Sequence, residues 1–163
     1  SQQNRDCVKK TALAEVGVKD ERWGGDAKRV NEYRHSVGAE QKAGVAWCVS
    51  FLSWCFQQNC IDNPKSAWSP DWFKNPIYDR RKVKITDVEI KPMDVFGIYF
   101  SDKGRIAHGG FVLSWEEGDN MFATVEGNSI NGSNTGELSR VGGECVKKYR
   151  LKSQAYKIGR AHV

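Results

Sequence analysis

Residues 46–56 read Ala-Trp-Cys-Val-Ser-Phe-Leu-Ser-Trp-Cys-Phe, and this almost wholly apolar run follows Gly44. Its length suits about three helical turns and exceeds that of a typical buried strand. Four residues recur at helical spacing from Cys48 and predict the buried face of the helix: Phe51, Leu52, Cys55 and Phe56. The stretch therefore predicts a core helix whose first turn, carrying Cys48, borders a cleft.

The predicted position of Cys48 favours reactivity. The first turn of a helix has unpaired N–H groups and the positive end of the helix dipole, and both stabilise an anion. A thiol in that position loses its proton more readily, and the thiolate is the nucleophilic form. Considered alone, however, the stretch fits a free cysteine in a core helix better, because cysteine is often buried. A catalytic interpretation therefore needs further residues.

Helices are predicted before this stretch and strands after it. Residues 6–16 form an amphipathic pattern that Gly17 ends, and Asp26 can cap a second helix that runs to about Ser36. Alternation and short turns predict strands at 95–100, 106–115, 121–126, 146–151 and 155–158. This order indicates an α+β fold, with N-terminal helices packed on an antiparallel β-sheet or small half-barrel. The length, 163 residues, most simply fits one domain, 1–163.

Two segments are predicted to be loops. Residues 61–81 are interrupted by prolines and rich in aromatic residues, and such loops often form the wall of a binding groove. We therefore predict that Trp72 contacts substrate, together with Trp47 beside Cys48 and Tyr33 on the second helix. Core packing explains these rings nearly as well. Residues 127–136 are rich in Gly, Asn and Ser and predict a second loop.

The charge balance limits the partners that the sequence supports. The formal net charge is +5 and the isoelectric point is about 9.0, which suits an anionic partner such as a cell-wall polymer or nucleic acid. The basic residues are scattered and no nucleic-acid-binding motif accompanies them, so we expect no nucleic-acid partner. No apolar run approaches membrane-spanning length, so we also expect no integral membrane segment.

Five cysteines leave the redox state open: Cys7, Cys48, Cys55, Cys60 and Cys145. If the protein is exported, four can pair and Cys48 is left as the reactive thiol, with the other four bridged or buried. If the protein stays in the cytosol, all five can be free. The polar start of the sequence, which lacks a methionine, fits either the removal of a signal peptide or a trimmed chain.

His108 is the candidate base for such a thiol. It lies in a predicted strand, where alternation puts it on one face with Ile106, Gly110 and Val112. A helix end supplies only about 0.3–1 kcal/mol. This is less than the roughly 1.4 kcal/mol that lowers a pKa by one unit, so a reactive Cys48 needs an imidazole neighbour. The simpler alternative is a core histidine whose nitrogens are satisfied locally.

Glu126 and Asn128 are the candidate orienting groups. They share a face of the next predicted strand, so antiparallel pairing would bring a carboxylate and an amide beside the imidazole. Cys48, His108 and either group would then supply a nucleophile, a base and a residue that fixes the imidazole tautomer. The alternative for the Glu-Gly-Asn segment is a strand end that runs into a turn.

At these residues the chain resembles the CHAP domain, a group of amidases and endopeptidases within the NlpC/P60 superfamily of papain-like peptidoglycan hydrolases. Three segments carry the resemblance: Ala-Trp-Cys-Val-Ser-Phe-Leu-Ser-Trp-Cys at 46–55, Ala-His-Gly-Gly-Phe-Val at 107–112 and Val-Glu-Gly-Asn-Ser at 125–129. Residues 15–20 and 31–34 are similar to the opening helices of phage endolysin domains of this type. The likeness covers nearly the whole chain.

The resemblance implies a papain-like core with catalytic Cys48 and His108, completed by Glu126 and Asn128. It implies cleavage of amide bonds in peptidoglycan, at the stem peptide, the cross-bridge or the link to muramic acid, without a cofactor. Some CHAP domains bind calcium, but Asp20, Glu21 and Asp26 have no convincing ligand spacing, so we expect no metal. The resemblance also implies a secreted, periplasmic or cell-wall-associated location, and leaves open an immunity or targeting partner. The alternative is a non-catalytic cell-wall-binding module with the same fold, against which the intact catalytic groups argue.

Overall fold

Three helices and a six-stranded sheet form the part of the chain that the computed structural model describes, residues 1–42, 44–129 and 143–161. The helices are α1 (Gln2–Ala14), α2 (Ala27–Ser36) and α3 (Cys48–Gln58). The strands are β1 (Tyr78–Asp79), β2 (Val95–Phe100), β3 (Arg105–Ser114), β4 (Met121–Ser129), β5 (Glu144–Leu151) and β6 (Lys157–Gly159). The sheet is open and antiparallel in the order β1-β6-β2-β3-β4-β5. The predicted α+β class, with helices and an antiparallel sheet, is confirmed.

Local capping explains where the helices begin. Asp26 accepts a hydrogen bond from the Lys28 N–H and caps α2 as predicted. Ser1 accepts from the Asn4 N–H, so α1 begins four residues before the predicted start. In contrast, α3 has no side-chain cap at Trp47, which leaves the N–H groups of its first turn available for other partners. Within the described residues, no helix is long and apolar enough to cross a membrane.

The apolar face of α3 packs on the centre of the sheet. The Phe111 ring of β3 lies 5.3 Å from the Phe56 ring and 6.1 Å from the Phe51 ring, both in edge-to-face geometry. On the opposite face, Phe96 and Phe122 form a second edge-to-face pair at 5.2 Å. Because both faces of β3 are covered, almost the entire strand is buried.

The described part of the sheet has three register shifts, of which two bear on the site residues and the third lies between Val112 and Ser114. Ile98 pairs with His108 and Tyr99 pairs with Ile106, so β3 carries one extra residue at this point. As a result, Ile106 joins the core cluster of α3, whereas Val112 belongs to the cluster on the other face. The prediction that these two residues share a face with His108 is therefore wrong for Ile106. A second shift lies in β4, between Glu126 and Ser129.

The loop predictions need two corrections. Residues 127–129 continue β4 and do not form a loop, because the shifted ladder resumes where Ser129 pairs with Glu144. The rest of the predicted loop, residues 130–136, lies outside the described residues. Residues 61–81 contain the edge strand β1, which sequence alternation does not show. The short 3-10 helix Ser69–Phe73 in the same segment agrees with the helical start that Pro70 favours in the sequence.

A buried carboxylate joins the start of β2 to α1 and to the segment after β6. Asp94 has no exposed surface, and its Oδ1 lies 3.0 Å from Arg5 Nη1. Arg160 binds the same carboxylate with two nitrogens, Nε at 3.0 Å and Nη2 at 2.9 Å. Two guanidinium groups therefore compensate the cost of burying one charge.

Candidate active site

Cys48 is the first residue of α3, and its side chain is almost completely enclosed, with 4 % of the residue exposed. The thiol hydrogen-bonds to His108 and accepts from the backbone N–H groups of Val49 and Gly109. The Val49 N–H is one of the unpaired donors of the first helical turn. The uncapped start of α3 therefore directs a backbone donor at the sulfur.

His108 connects the thiol to β4. The residue is 2 % exposed, and its Nε2 lies 2.7 Å from Glu126 Oε1. Because Nε2 is engaged by the carboxylate, Nδ1 is the nitrogen left for Cys48. The structure thus brings together a thiol, an imidazole and a carboxylate in the order that a nucleophile, a base and an orienting group require.

Glu126 is the most heavily hydrogen-bonded group of the site. In addition to His108, its Oε2 accepts from Thr124 Oγ1 at 2.6 Å, and its Oε1 lies 3.4 Å from Ser129 Oγ. Arg150 on β5 donates to both oxygens, from Nε to Oε2 at 2.6 Å and from Nη2 to Oε1 at 2.7 Å. This bidentate contact fixes the plane of the carboxylate.

Burial and the neighbouring groups shift the pKa of each site residue in opposite directions, and the effect of the neighbouring groups is larger. Burial raises the pKa of Cys48, but the hydrogen bond and charge of His108 outweigh it, so the thiol pKa falls below its ordinary value. Burial lowers the pKa of His108, but Cys48 and Glu126 outweigh it and raise that pKa. Burial also raises the pKa of Glu126, but Arg150 and His108 hold it well below its usual range. These directions favour a thiolate–imidazolium pair beside an ionised carboxylate.

A glycine makes room for this contact between strands. A methyl group at Gly110 would lie 2.8 Å from Glu126 Cγ and 2.8 Å from atoms of the Phe96 ring. Both distances are shorter than ordinary contacts of a Cβ atom. The carboxylate can therefore occupy the space beside the imidazole because position 110 has no side chain.

Asn128, the other predicted orienting group, is not placed beside the imidazole. The shift in the β4–β5 ladder gives Asn128 a left-handed backbone with φ of 53°, which breaks the alternation that predicted a shared face with Glu126. Its Oδ1 lies 3.4 Å from Arg22 Nη2, and within the described residues it makes no hydrogen bond to His108.

The three residues predicted to contact substrate lie in the core. Trp47 and Tyr33 have no exposed surface, and Trp72 has 8 %. Their polar atoms are used internally: Trp47 Nε1 donates to Asp20, Tyr33 Oη to Glu15 and Trp72 Nε1 to the Ser66 carbonyl. The prediction that Trp47 and Tyr33 line a substrate groove is wrong, because both rings are packed inside the core. The Trp72 ring is packed as well, since it stacks on the Phe56 ring with 6.1 Å between the centroids.

The aromatic residue of the 61–81 loop that faces outward is Trp68. It is half exposed, and Arg105 Cζ lies 4.0 Å from the centroid of its ring.

The cysteines follow the alternative in which all five are free, and not the expectation for an exported protein, in which all except Cys48 are bridged or buried. All five are free thiols, and Cys7 and Cys60 are exposed. Cys55 and Cys145 are buried, and burial raises the pKa of each well above its ordinary value. Cys48 therefore differs from both pairs, since it is enclosed but has a lowered pKa. Within residues 1–42, 44–129 and 143–161, no group of three or more His, Cys, Asp or Glu side chains is arranged to hold a metal ion.

Arg150 is the site residue that the sequence patterns did not indicate. Its strand was predicted, but a lone arginine near the end of a strand is typical of a solvated face. Its contact with Glu126 depends on the register of β5, in which Arg150 lies opposite Phe122 and reaches along β4. A sequence gives no direct signal for this register.

The comparisons with known proteins assign no relative to this arrangement. No family model, curated protein or solved structure matches the chain.

Proposed function

We propose that this protein is a cysteine hydrolase that cleaves amide bonds in peptidoglycan. The observation that carries the proposal is the chain of contacts from Cys48 through His108 to Glu126, with 2.7 Å between His108 Nε2 and Glu126 Oε1. A helix that presents its first-turn cysteine to a histidine on an antiparallel sheet is the arrangement expected of a papain-like core. The residues that form it are those that carry the resemblance to CHAP domains.

The proposed reaction proceeds in two steps, acylation of Cys48 and hydrolysis of the resulting thioester. The Cys48 thiolate attacks the carbonyl carbon of the amide, and the C–N bond breaks as the His108 imidazolium protonates the leaving amine. His108, now neutral, takes a proton from a water molecule that attacks the thioester. The thioester C–S bond then breaks, which releases a carboxyl end and restores the thiolate–imidazolium pair. Glu126 holds Nε2 and stabilises the imidazolium, as the acidic member of a hydrolytic triad does.

The start of α3 supplies the electrostatic part of the mechanism. Its first-turn N–H groups have no side-chain cap, and the Cys48 N–H is the donor placed next to the reacting sulfur. We assign it to the oxyanion that forms during attack, where a single donor contributes about 2.7–4 kcal/mol of transition-state stabilisation. No cofactor enters any step of this scheme.

Peptidoglycan is proposed as the substrate on two grounds. The CHAP resemblance implies it, and the net charge of +5 favours association with an anionic wall. A secreted, periplasmic or cell-wall-associated location follows from the same proposal. The bond cleaved can be in the stem peptide, the cross-bridge or the link to muramic acid.

The decisive experiment measures new amine and carboxyl ends released from purified peptidoglycan. We expect release by the wild type, none by Cys48→Ala, and undiminished release by Cys60→Ala, which removes an exposed thiol. Circular dichroism should show that all three proteins are folded. Release by Cys48→Ala at the wild-type rate would contradict the proposal. Binding to peptidoglycan without release by the wild type would instead favour the non-catalytic wall-binding alternative.

A further inference from the structure

Glu126 is a fully buried carboxylate whose charge is balanced mainly from the neighbouring strand. An ionised carboxylate in such a place is costly unless a cation and hydrogen-bond donors surround it. His108 carries a full positive charge only when protonated, so it cannot supply a permanent one. Arg150 is permanently charged, is itself buried at 4 % exposure, and contacts both oxygens at 2.6 and 2.7 Å.

We propose that Arg150 is a positioning residue of the active site, which keeps Glu126 ionised and in the plane that holds the His108 imidazole. The proposal rests on the proposed function, since it takes Cys48 and His108 as the reacting pair. It adds a fourth member to the site: a cation that touches neither substrate nor thiol and acts through the carboxylate.

The surroundings of Arg150 show how it is held. Its guanidinium lies 6.0 Å from the centroid of the Phe96 ring, on the face of the sheet opposite α3. An aromatic face on one side and a carboxylate on the other restrict the guanidinium to one plane. A lysine could supply the charge at this position but not two parallel donors, so the charge and the geometry can be separated by mutation.

The charges around the carboxylate determine the sign of the expected pH effect. Five titratable or charged groups on three elements affect Glu126 or the imidazole: Arg150, Lys148 and Cys145 on β5, His108 on β3, and Cys48 on α3. Removing the buried positive charge of Arg150 destabilises the ionised carboxylate and relieves repulsion of the imidazolium. Both effects favour proton binding, so the Glu126–His108 pair should titrate at higher pH without Arg150.

The test uses the full chain and three variants. Arg150→Met removes charge and geometry, Arg150→Lys keeps the charge alone, and Lys147→Met is the matched control because it removes an exposed cation from the same strand. One readout is the NMR titration of the His108 ring, assigned with His108→Gln, which needs no substrate. The other is kcat/KM for release of ends from peptidoglycan.

We expect the His108 midpoint to rise by about one to three pH units in Arg150→Met and to remain close to wild type in Arg150→Lys. We expect kcat/KM to fall about tenfold in Arg150→Lys, because the carboxylate loses one of its two donors, and further in Arg150→Met. Lys147→Met should leave both readouts near wild type. If Arg150→Met does not fold, Arg150→Gln takes its place in the titration.

Two results overturn the inference: an unchanged His108 midpoint in a folded variant with a neutral side chain at position 150, or full kcat/KM in Arg150→Lys. A wild type that releases no ends defeats the proposed function instead. The ring titration then still decides whether Arg150 controls the charge of Glu126 and His108.

Discussion

Trp47 Nε1 donates a hydrogen bond to Asp20 Oδ2 at 3.2 Å, and neither residue has any exposed surface. Asp20 also accepts from the backbone and side chain of Arg22, and its own N–H donates to the Gly143 carbonyl at 2.7 Å. The residue that precedes Cys48, the proposed nucleophile, is thus tied to the segment before α2 and to the start of β5. This contact anchors the first turn of α3, and with it Cys48.

Trp47→Phe should destabilise the protein without removing a reacting group. Loss of the indole donor removes one hydrogen bond from the buried Asp20 Oδ2, which still accepts from Arg22. The expected cost is about 1.5–3 kcal/mol in the free energy of unfolding, the usual contribution of a hydrogen bond to a charged group. Trp68→Phe is the matched control, since Trp68 is half exposed and the change should stay within about 0.5 kcal/mol. Urea unfolding followed by circular dichroism measures both. Equal stability of the two variants would show that the Trp47–Asp20 bond is not an anchor.

Alkylation of Cys48 should be fast below the ordinary thiol range. Its pKa is lowered and that of His108 is raised, so the thiolate–imidazolium pair forms as pH rises through the first and is lost as pH rises through the second. The midpoint for alkylation should therefore lie below about 8.5, the usual thiol pKa. His108→Ala should move it upward, because only burial and the backbone donors then act on the thiol.

This measurement needs a background in which Cys7 and Cys60 are replaced by serine, since both are exposed to the reagent. Mass spectrometry of the labelled peptides then separates Cys48 from the buried pair, Cys55 and Cys145. Labelling of either buried thiol ahead of Cys48, or a midpoint that His108→Ala leaves in place, would remove the electrostatic support for the mechanism.

Glu126→Gln should reduce activity far more than Asn128→Gly. The amide loses the charge that stabilises the imidazolium, and its NH₂ group would face the donors of Arg150 or Thr124. We expect kcat/KM to fall on the order of 10²–10⁴-fold while the protein remains folded. Glycine at position 128 keeps the left-handed backbone without strain, so that variant tests the amide alone. A larger loss in Asn128→Gly would reverse the two roles.

Gly110→Ala should disturb the site through space alone. The added methyl group would lie 2.8 Å from Glu126 Cγ and force the carboxylate or the Phe96 ring to move. We expect a stability cost of roughly 1–3 kcal/mol and a loss of kcat/KM on the order of 10²-fold. Val112→Ala, in the same cluster as Phe96, should lose comparable stability and keep its activity per folded molecule. Similar activity of the two variants would show that the space beside Glu126 is not needed for the reaction.

Helix α3, which begins at Cys48, could be predicted because the sequence features that indicate it are local. The length of the apolar run, its helical spacing and the position of Cys48 at its start are all contained in residues 46–56. The contact between His108 and Glu126 could be predicted for a related reason. Each residue lies on a strand bounded by clear turns, and the two strands are neighbours in both the chain and the sheet.

The remaining site geometry depends on features that residue patterns do not encode. The extra residue in β3 changes the face of Ile106, and the shift in β4 gives Asn128 a left-handed backbone and a contact with Arg22. Arg150 reaches Glu126 only in one register of β5. The rings of Trp47 and Tyr33 satisfy their polar atoms inside the core, so aromatic content alone could not distinguish a wall of the groove from packing.

The two guanidinium groups on Asp94 also relate the order of the chain to its arrangement in space. Arg5 and Arg160 are 155 positions apart in the sequence, yet both reach a single carboxylate. A short flexible linker could therefore connect these two regions, and the chain could be opened instead at the exposed turn of residues 101–104. Such a circular permutant would retain every strand neighbour in the sheet. We therefore expect the contacts of the candidate site to depend on the arrangement of the elements in space and not on their order along the chain.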